Sequence, residues 1–223
     1  MATAAAKAET PQDAKAKKDV AVVIKPPRLN RATVRIIGTA PLVQCAFSAK
    51  ALNTIRETQE AGSQARAKKK REARNFDADF EGAIHRSLEG WIGIPAPAFR
   101  AAMIDACRLV GYKMTLAKLA IFVEADGIDA VSGQPLVRLN ASAPIQMISA
   151  VRNATGVIDL RARPRWDVWS ADLRLIFDED VLSTADVTNL LMRAGMQVGI
   201  GEGRPNSRMS FGQGWGLFKL ETE

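Results

Sequence analysis

Tyrosine and histidine occur once each, and cysteine twice, in 223 residues. A metal site needs three or four convergent ligands. His85, Cys45 and Cys107 offer no such spacing, so no metal centre or cofactor is expected. His85 stands alone in "EGAIHRS" and reads as a packed or solvent-facing imidazole rather than a catalytic base. No nucleophile elbow and no phosphate-binding loop with Lys-Ser/Thr is present. "GIGEG" (199–203) lacks the strand before it and the βαβ unit after it that a dinucleotide site requires. A long apolar run is missing too. The longest stretch without charge, Ile36 to Ala49, is too short for a membrane-crossing helix, which takes about 20 apolar residues. The two cysteines read as reduced core residues of an intracellular, cytoplasmic protein.

Positive charge, in contrast, is in excess, with 31 Lys and Arg against 24 Asp and Glu for a net +7. An imbalance of this kind favours polyanionic partners. Two segments concentrate it. "QARAKKKREAR" (64–74) holds six basic residues and one acid, and "RARPR" (161–165) holds three arginines. Apolar residues make up 47% of the chain, enough for a core. The first 28 residues, small and charged, read as a disordered tail ahead of a single domain over 29–223.

Along that domain, 31–38 alternates as a strand, and 48–74 reads as one long helix capped by Ser48. The second part of that helix has no apolar stripe. Residues 61–75 are therefore expected as an exposed basic arm, either an interface or a merely solvated surface. A helix starts near Pro97 with Phe99, Met103, Ala106 and Cys107 on one face and closes at Gly111. Residues 115–123 fit a short helix or a strand equally. Strand candidates follow at 134–139, 145–152 and 157–161, and 169–177 alternates as a half-buried strand. Ser183 and Asp186 form a near capping box for a helix that Gly195 ends, and "GWGLFKLE" supplies a last strand. The order strand, helix, strands, helix, strand predicts an α+β fold: a ferredoxin-like split βαβ sheet with helical and loop insertions.

Two constellations could hold a nucleic acid. Residues 199–216, "GIGEGRPNSRMSFGQGWG", contain six of the 16 glycines. Bare backbone there lets phosphate come close, with Arg204 and Arg208 as charged donors and Asn206 as a neutral one. The same glycines could instead serve tight turns and close packing. In an extended "RARPR", Arg161, Arg163 and Arg165 share one face, with Trp166 available for base stacking or equally a core residue. The other reading is ion pairing with Asp159, Asp167 and Asp172.

Specific residues also carry a resemblance. "IPAPAFRAAMIDACR" and "GIGEGRPNSRMSFGQGWGLFKL" resemble the first-helix start and the C-terminal glycine-rich loop of the repeat-associated mysterious protein superfamily, the CRISPR effector backbone and repeat-binding proteins. More broadly, 31–221 resembles a group of phage and prophage proteins. The matching stretches are Gly38–Leu42, Ser48–Lys50, Gly93–Ala102, Trp169–Ile176 and Gly199–Pro205.

The resemblance implies RNA binding through the sheet face and the glycine-rich loop, and polymerisation of backbone members along the strand. It implicates Arg100, Arg204 and Arg208, adds Lys50, and places Lys68, Lys69, Lys70, Arg71 and Arg74 where a thumb-like insertion would lie. The expected function is a non-enzymatic, single-stranded nucleic-acid-binding protein, for DNA or RNA, of phage type. It would assemble with itself as a head-to-tail oligomer or filament, without a membrane. Alternatives are a guide-RNA-binding backbone subunit of a CRISPR-type effector and a virion structural or assembly protein. If the basic arm is exposed, limited trypsin digestion should cut first within Arg66–Arg74, and bound nucleic acid should protect those bonds. Resistance of these bonds in the free protein would count against the arm.

Overall fold

A computed structural model describes residues 24–62, 73–152, 156–207 and 212–221. The chain is a mixed α+β protein whose strand pairs are all antiparallel. The central sheet is organised by β1 (Leu29–Gly38) and β10 (Trp169–Asp178), paired from Leu29↔Asp178 to Ile37↔Ser170. β11 (Phe218–Leu220) adds outside β1, and β4 (Ile121–Val123) outside β10. The order is β11-β1-β10-β4, with β7 (Asn140–Ala141) also on β10. Helix α3 (Ala96–Ala106) lies in the connection from β1 to β4, and α5 (Thr184–Arg193) in the connection from β10 to β11. The alternation read at 169–177 is realised: Trp169, Ala171, Leu173, Leu175 and Phe177 are buried.

The core forms where that buried face meets the two helices. Phe218 stacks edge-on against both Phe99 of α3 and Trp169, with ring centroids 6.1 and 6.2 Å away. Burying three rings of this size contributes several kcal/mol. The Trp169 indole N–H donates to the Ala40 carbonyl (2.9 Å), so its one polar atom is satisfied in the core. Helix α3 buries Phe99, Met103 and Ala106 as its spacing requires, and α5 starts with the Ser183–Asp186 capping box.

The second sheet, β2-β9-β8, prolongs the β1/β10 ribbon beyond a bend. β2 (Leu42–Val43) pairs with the end of β9 (Ile158–Trp166), and β9 pairs with β8 (Ile145–Arg152) along eight positions. A small third sheet, β3-β6-β5, comprises Gly93–Pro95, Pro135–Arg138 and Gly127–Ile128, and leads directly into α3.

Several expectations need correction. The helix expected over 48–74 stops at Ala61: α1 is Ala49–Ala61, capped by Gly62 at φ 55°. A separate short helix, α2 (Phe76–Glu81), begins after an Asn75 cap. Nothing in α1 is buried, and its Ile55 is exposed. The 115–123 ambiguity resolves as both, α4 (Met114–Ala120) running into β4. Gly195 does not end its helix. The chain runs on through a wide turn to Val198, with Gly195 buried beneath Phe218. Cys107 is buried, but Cys45 is exposed, because β2 is only two residues long and Cys45 lies past its covered part.

The glycine-rich segment joins the two large sheets. The Ile200 N–H donates to the Gly216 carbonyl (3.0 Å), the Gly216 N–H to Pro41 (2.7 Å) and the Glu202 N–H to Val43 (2.9 Å). All six of its glycines have φ between 66° and 76°. At Gly216 the constraint is double: φ is 69°, and a Cβ would lie 1.8 Å from the Ile200 carbonyl oxygen. Gly214 has φ 76° with open space around it. Gly216→Ala is therefore expected to lose on the order of 3 kcal/mol in denaturant unfolding, and Gly214→Ala only about 1 kcal/mol. Equal losses would show that the close approach is not what the glycine serves.

Candidate functional site

The β8–β9 hairpin, the glycine-rich segment and one side of α3 enclose a cleft of about 700 Å³. Ala98, Ala101, Ala102 and Asp105 of α3 line one wall; their i, i+3, i+4, i+7 spacing keeps that wall narrow and mostly small. Met147, Ser149 and Val151 of β8, with Arg161 of β9, line the opposite wall. Gly199 to Arg204, Ser207 and Trp215 close the third side. Thus the two segments that the sequence singles out, the arginine row and the glycine-rich loop, meet at one place although about 40 residues separate them.

The row itself is as expected in geometry: Arg161, Arg163 and Arg165 share one face of β9, opposite Ser149, Met147 and Ile145 of β8. Its charge, however, is compensated. Arg161 lies 3.6 Å from Asp159, Arg163 2.6 Å from Glu202 and Arg165 2.7 Å from Asp167. The ion-pair reading of the row holds for Asp159 and Asp167. Asp172 instead faces Arg35 (3.6 Å), and Glu202 of the glycine-rich segment takes the remaining place. The Arg163–Glu202 pair is mostly shielded from solvent and ties the hairpin to the loop.

Of the loop residues, Arg204 lines the cleft and donates through Nη1 to the Gly201 carbonyl (3.0 Å). Asn206 donates to Asp105 Oδ2 (2.7 Å), which fastens the loop to α3 rather than offering a donor to a ligand. Arg208 lies outside the described residues, as do Lys68, Lys69, Lys70 and Arg71 of the basic arm.

Four further candidates lie elsewhere. Trp166 is buried, with its indole N–H donating to the Ser142 carbonyl (3.1 Å), so it is core and has no face for stacking. The half-buried aromatic at the cleft is Trp215. Arg100 sits on the other side of α3. It donates to the carbonyls of Ile121 (2.8 Å) and Lys118 and lies over the Phe122 ring, so it secures the α4–β4 junction. Arg74 bonds Asp79 (2.9 Å) and Asp159, bracing α2 against β9, and it holds the Asp159 carboxyl below the ordinary range. Lys50 is exposed in the first turn of α1 and is not a cleft residue.

The solvent face of the central sheet is also charge-balanced. Arg31 and Arg174 flank Glu124, Arg174 also meets Asp126, and Arg35 lies between Asp172 and Glu221. Arg161 and Arg204 line the cleft together with the carboxylates Asp105 and Glu202.

One group at the cleft escaped the sequence. His85 lines it, and its Nδ1 lies 2.9 Å from Asp129 Oδ2. A carboxylate only accepts, so Nδ1 carries the proton of this bond. The His85 main chain is fixed as well, by its N–H to Gln44 Oε1 (3.1 Å) and its carbonyl to the Gly93 N–H (3.0 Å). Forty-four residues separate His85 from Asp129, and no local pattern links them. Among the described residues no cluster of three or more His, Cys, Asp or Glu could hold a metal, and no helix is long and apolar enough to cross a membrane.

No protein-family model matches the chain, and comparison with curated proteins finds no match either.

Burial pushes the Asp129 carboxyl up. The N–H groups of Ser132 and Val131 and the His85 ring together outweigh that effect and hold it below its ordinary value. A depressed carboxyl stabilises the fold fully above its unfolded value, about 3.9, and loses that contribution as pH falls through the lower folded value. Asp129→Asn is expected to cost about 1–3 kcal/mol at neutral pH and to flatten the loss of stability below about pH 4. Parallel acid-unfolding curves for the two proteins would remove Asp129 from this role.

Proposed function

We propose that the chain is a non-enzymatic, single-stranded nucleic-acid-binding protein of phage type, built on a ferredoxin-like core of the repeat-associated mysterious protein kind and assembling along the strand. It would act in the cytoplasm, that of the host if phage-carried. The order β11-β1-β10-β4, with α3 and α5 in the two crossovers, supports the core reading, because it is the pattern of two interleaved split βαβ units.

The observation that carries the function is the convergence of Arg161, Arg204, Ser207 and Trp215 on one cleft. A guanidinium offers forked donors to a phosphate, and an indole face accepts a base without regard to its identity. Apolar walls from Leu42, Ile94 and Ile200 suit the flat body of a nucleotide better than a fully hydrated ion. The carboxylates Glu202 and Asp105 at the same cleft set the register. They hold Arg163 and Asn206 in the wall, while Arg161, itself beside Asp159, and Arg204 line the cavity. Net positive charge would bring the polyanion near, and phosphate binding would make affinity fall with salt.

The test is a titration of a labelled single-stranded oligonucleotide at several salt concentrations, for wild type and for Arg161→Ala with Arg204→Ala. The double variant is expected to bind more weakly by about 1–3 kcal/mol. Its log–log salt slope should be shallower by roughly 0.7 for each phosphate that the two guanidinium groups neutralise in the wild type. Wild-type affinity and slope in the folded double variant would refute the cleft as the nucleic-acid site. Comparing DNA with RNA of one sequence separates the two polymers.

A further inference from the structure

The edges of the three sheets are unequal. β11, β4 and β3 have three residues each and β5 has two, too short to template another strand. β8 is eight residues long, and among the described residues it pairs only with β9. Its sequence, IQMISAVR, has no proline and no charge until its last residue. It therefore lacks the devices that usually protect an edge from pairing. On the face opposite the arginines, Ile148 and Ala150 lie between Gln146 and Arg152. Ile148 is 53% exposed, and its neighbours on β9, Leu160 and Ile158, are 46% and 64% exposed.

A complementary segment precedes β1 in the sequence. Residues 20–24 read VAVVI, four β-branched residues in five, ahead of Pro26 and Pro27. Ile24 is 89% exposed. Among the described residues, the body of the protein takes hold of the chain at residue 28. The Arg28 carbonyl accepts from the Glu179 N–H (2.9 Å), and its guanidinium meets Asp180 (2.7 Å). This anchor is at the Asp178 end of β10, whereas the β8–β9 hairpin joins β10 at the Trp169 end. Ten residues of strand separate the two ends by about 30 Å. Ile24 to Pro27 span about 14 Å, and the two prolines favour an extended, semi-rigid course.

We propose that residues 20–24 of one copy add as a strand to the free edge of β8 in a second copy. Val20, Val22 and Ile24 then lie on the face of Ile148, and the main chain of β8 gains its missing partners. Arm and edge are different surfaces, so the contact is head-to-tail and repeats from copy to copy. The proposal identifies the contact behind the self-assembly proposed above, and rests on that part of the reading alone.

The experiment measures mass by sedimentation, without nucleic acid, for the full-length chain and two full-length variants. Val22→Pro removes a donor in the middle of the arm, and Ile148→Lys puts a charge on the acceptor face. Wild type is expected as a multimer of the 24.1 kDa chain, and each variant alone as a single copy. Because Val22→Pro keeps its edge and Ile148→Lys keeps its arm, mixing them should give a species of twice the chain mass and nothing larger. A single-copy wild type, an unchanged multimer in Val22→Pro, or a mixture that stays single would each overturn the proposal. Ile148 is a surface position, and far-ultraviolet circular dichroism checks that both variants are folded. The readout needs no ligand, so failure of the Arg161/Arg204 titration would overturn the cleft and leave the arm standing.

Discussion

The rest of the structure depends on the main-chain contact between Ile200 and Gly216. There the last crossover of the central sheet is held against the bend at Pro41, and two sheets that share one bent ribbon become one body. A side chain at 216 would collide with a carbonyl oxygen, so the approach exists only because the position is bare. Bonds from Gly216 to Pro41 and from Glu202 to Val43 then fix the loop as one wall of the cleft. Glu202, carried on this wall, receives Arg163 from the hairpin and fixes the opposite one. Packing and recognition thus draw on the same few residues. The glycines serve the close approach, and the side chains between them reach the cavity.

Electrostatics sharpen this division. Most arginines of the described residues sit beside carboxylates, on the sheet face as on the hairpin. An exposed pair of this kind contributes at most about 1 kcal/mol to stability. What such pairs do more effectively is cancel the field at a distance. A chain with a net +7 therefore does not present a uniformly positive surface.

Much of the secondary structure was legible in the sequence because its causes are local. The alternation from Trp169 to Phe177 and the Ser183–Asp186 cap act over a few residues, and both are realised. The apolar stripe of α3 was legible for the same reason. Errors arose where a distant neighbour decides. Gly195 reads as a helix end, but Phe218 needs the space above it. Trp166 reads as an available ring beside three arginines, but parity on β9 turns it inward while Arg165 faces the cleft side. Arg100 follows a motif that suggested a contact, yet the helix turns it away from the cleft wall formed by Ala98 and Ala101. The His85–Asp129 pair could not be read at all, since a hydrogen bond across 44 residues leaves no periodic trace.

The position of the glycine-rich segment in the chain has a consequence for synthesis. A growing chain emerges from its first residues onward, and helices and hairpins can form as they appear. β1, β8, β9 and β10 and their turns are all complete before residue 199. The cleft is not, because its third wall and the stacking of Phe218 on Phe99 and Trp169 come from residues 199–218. Until those residues are out, the apolar faces of α3 and β10 have no lid at that end. The nascent protein therefore passes through a stage with most of its strands made and its cavity still open, and the cavity closes only once residue 218 has emerged.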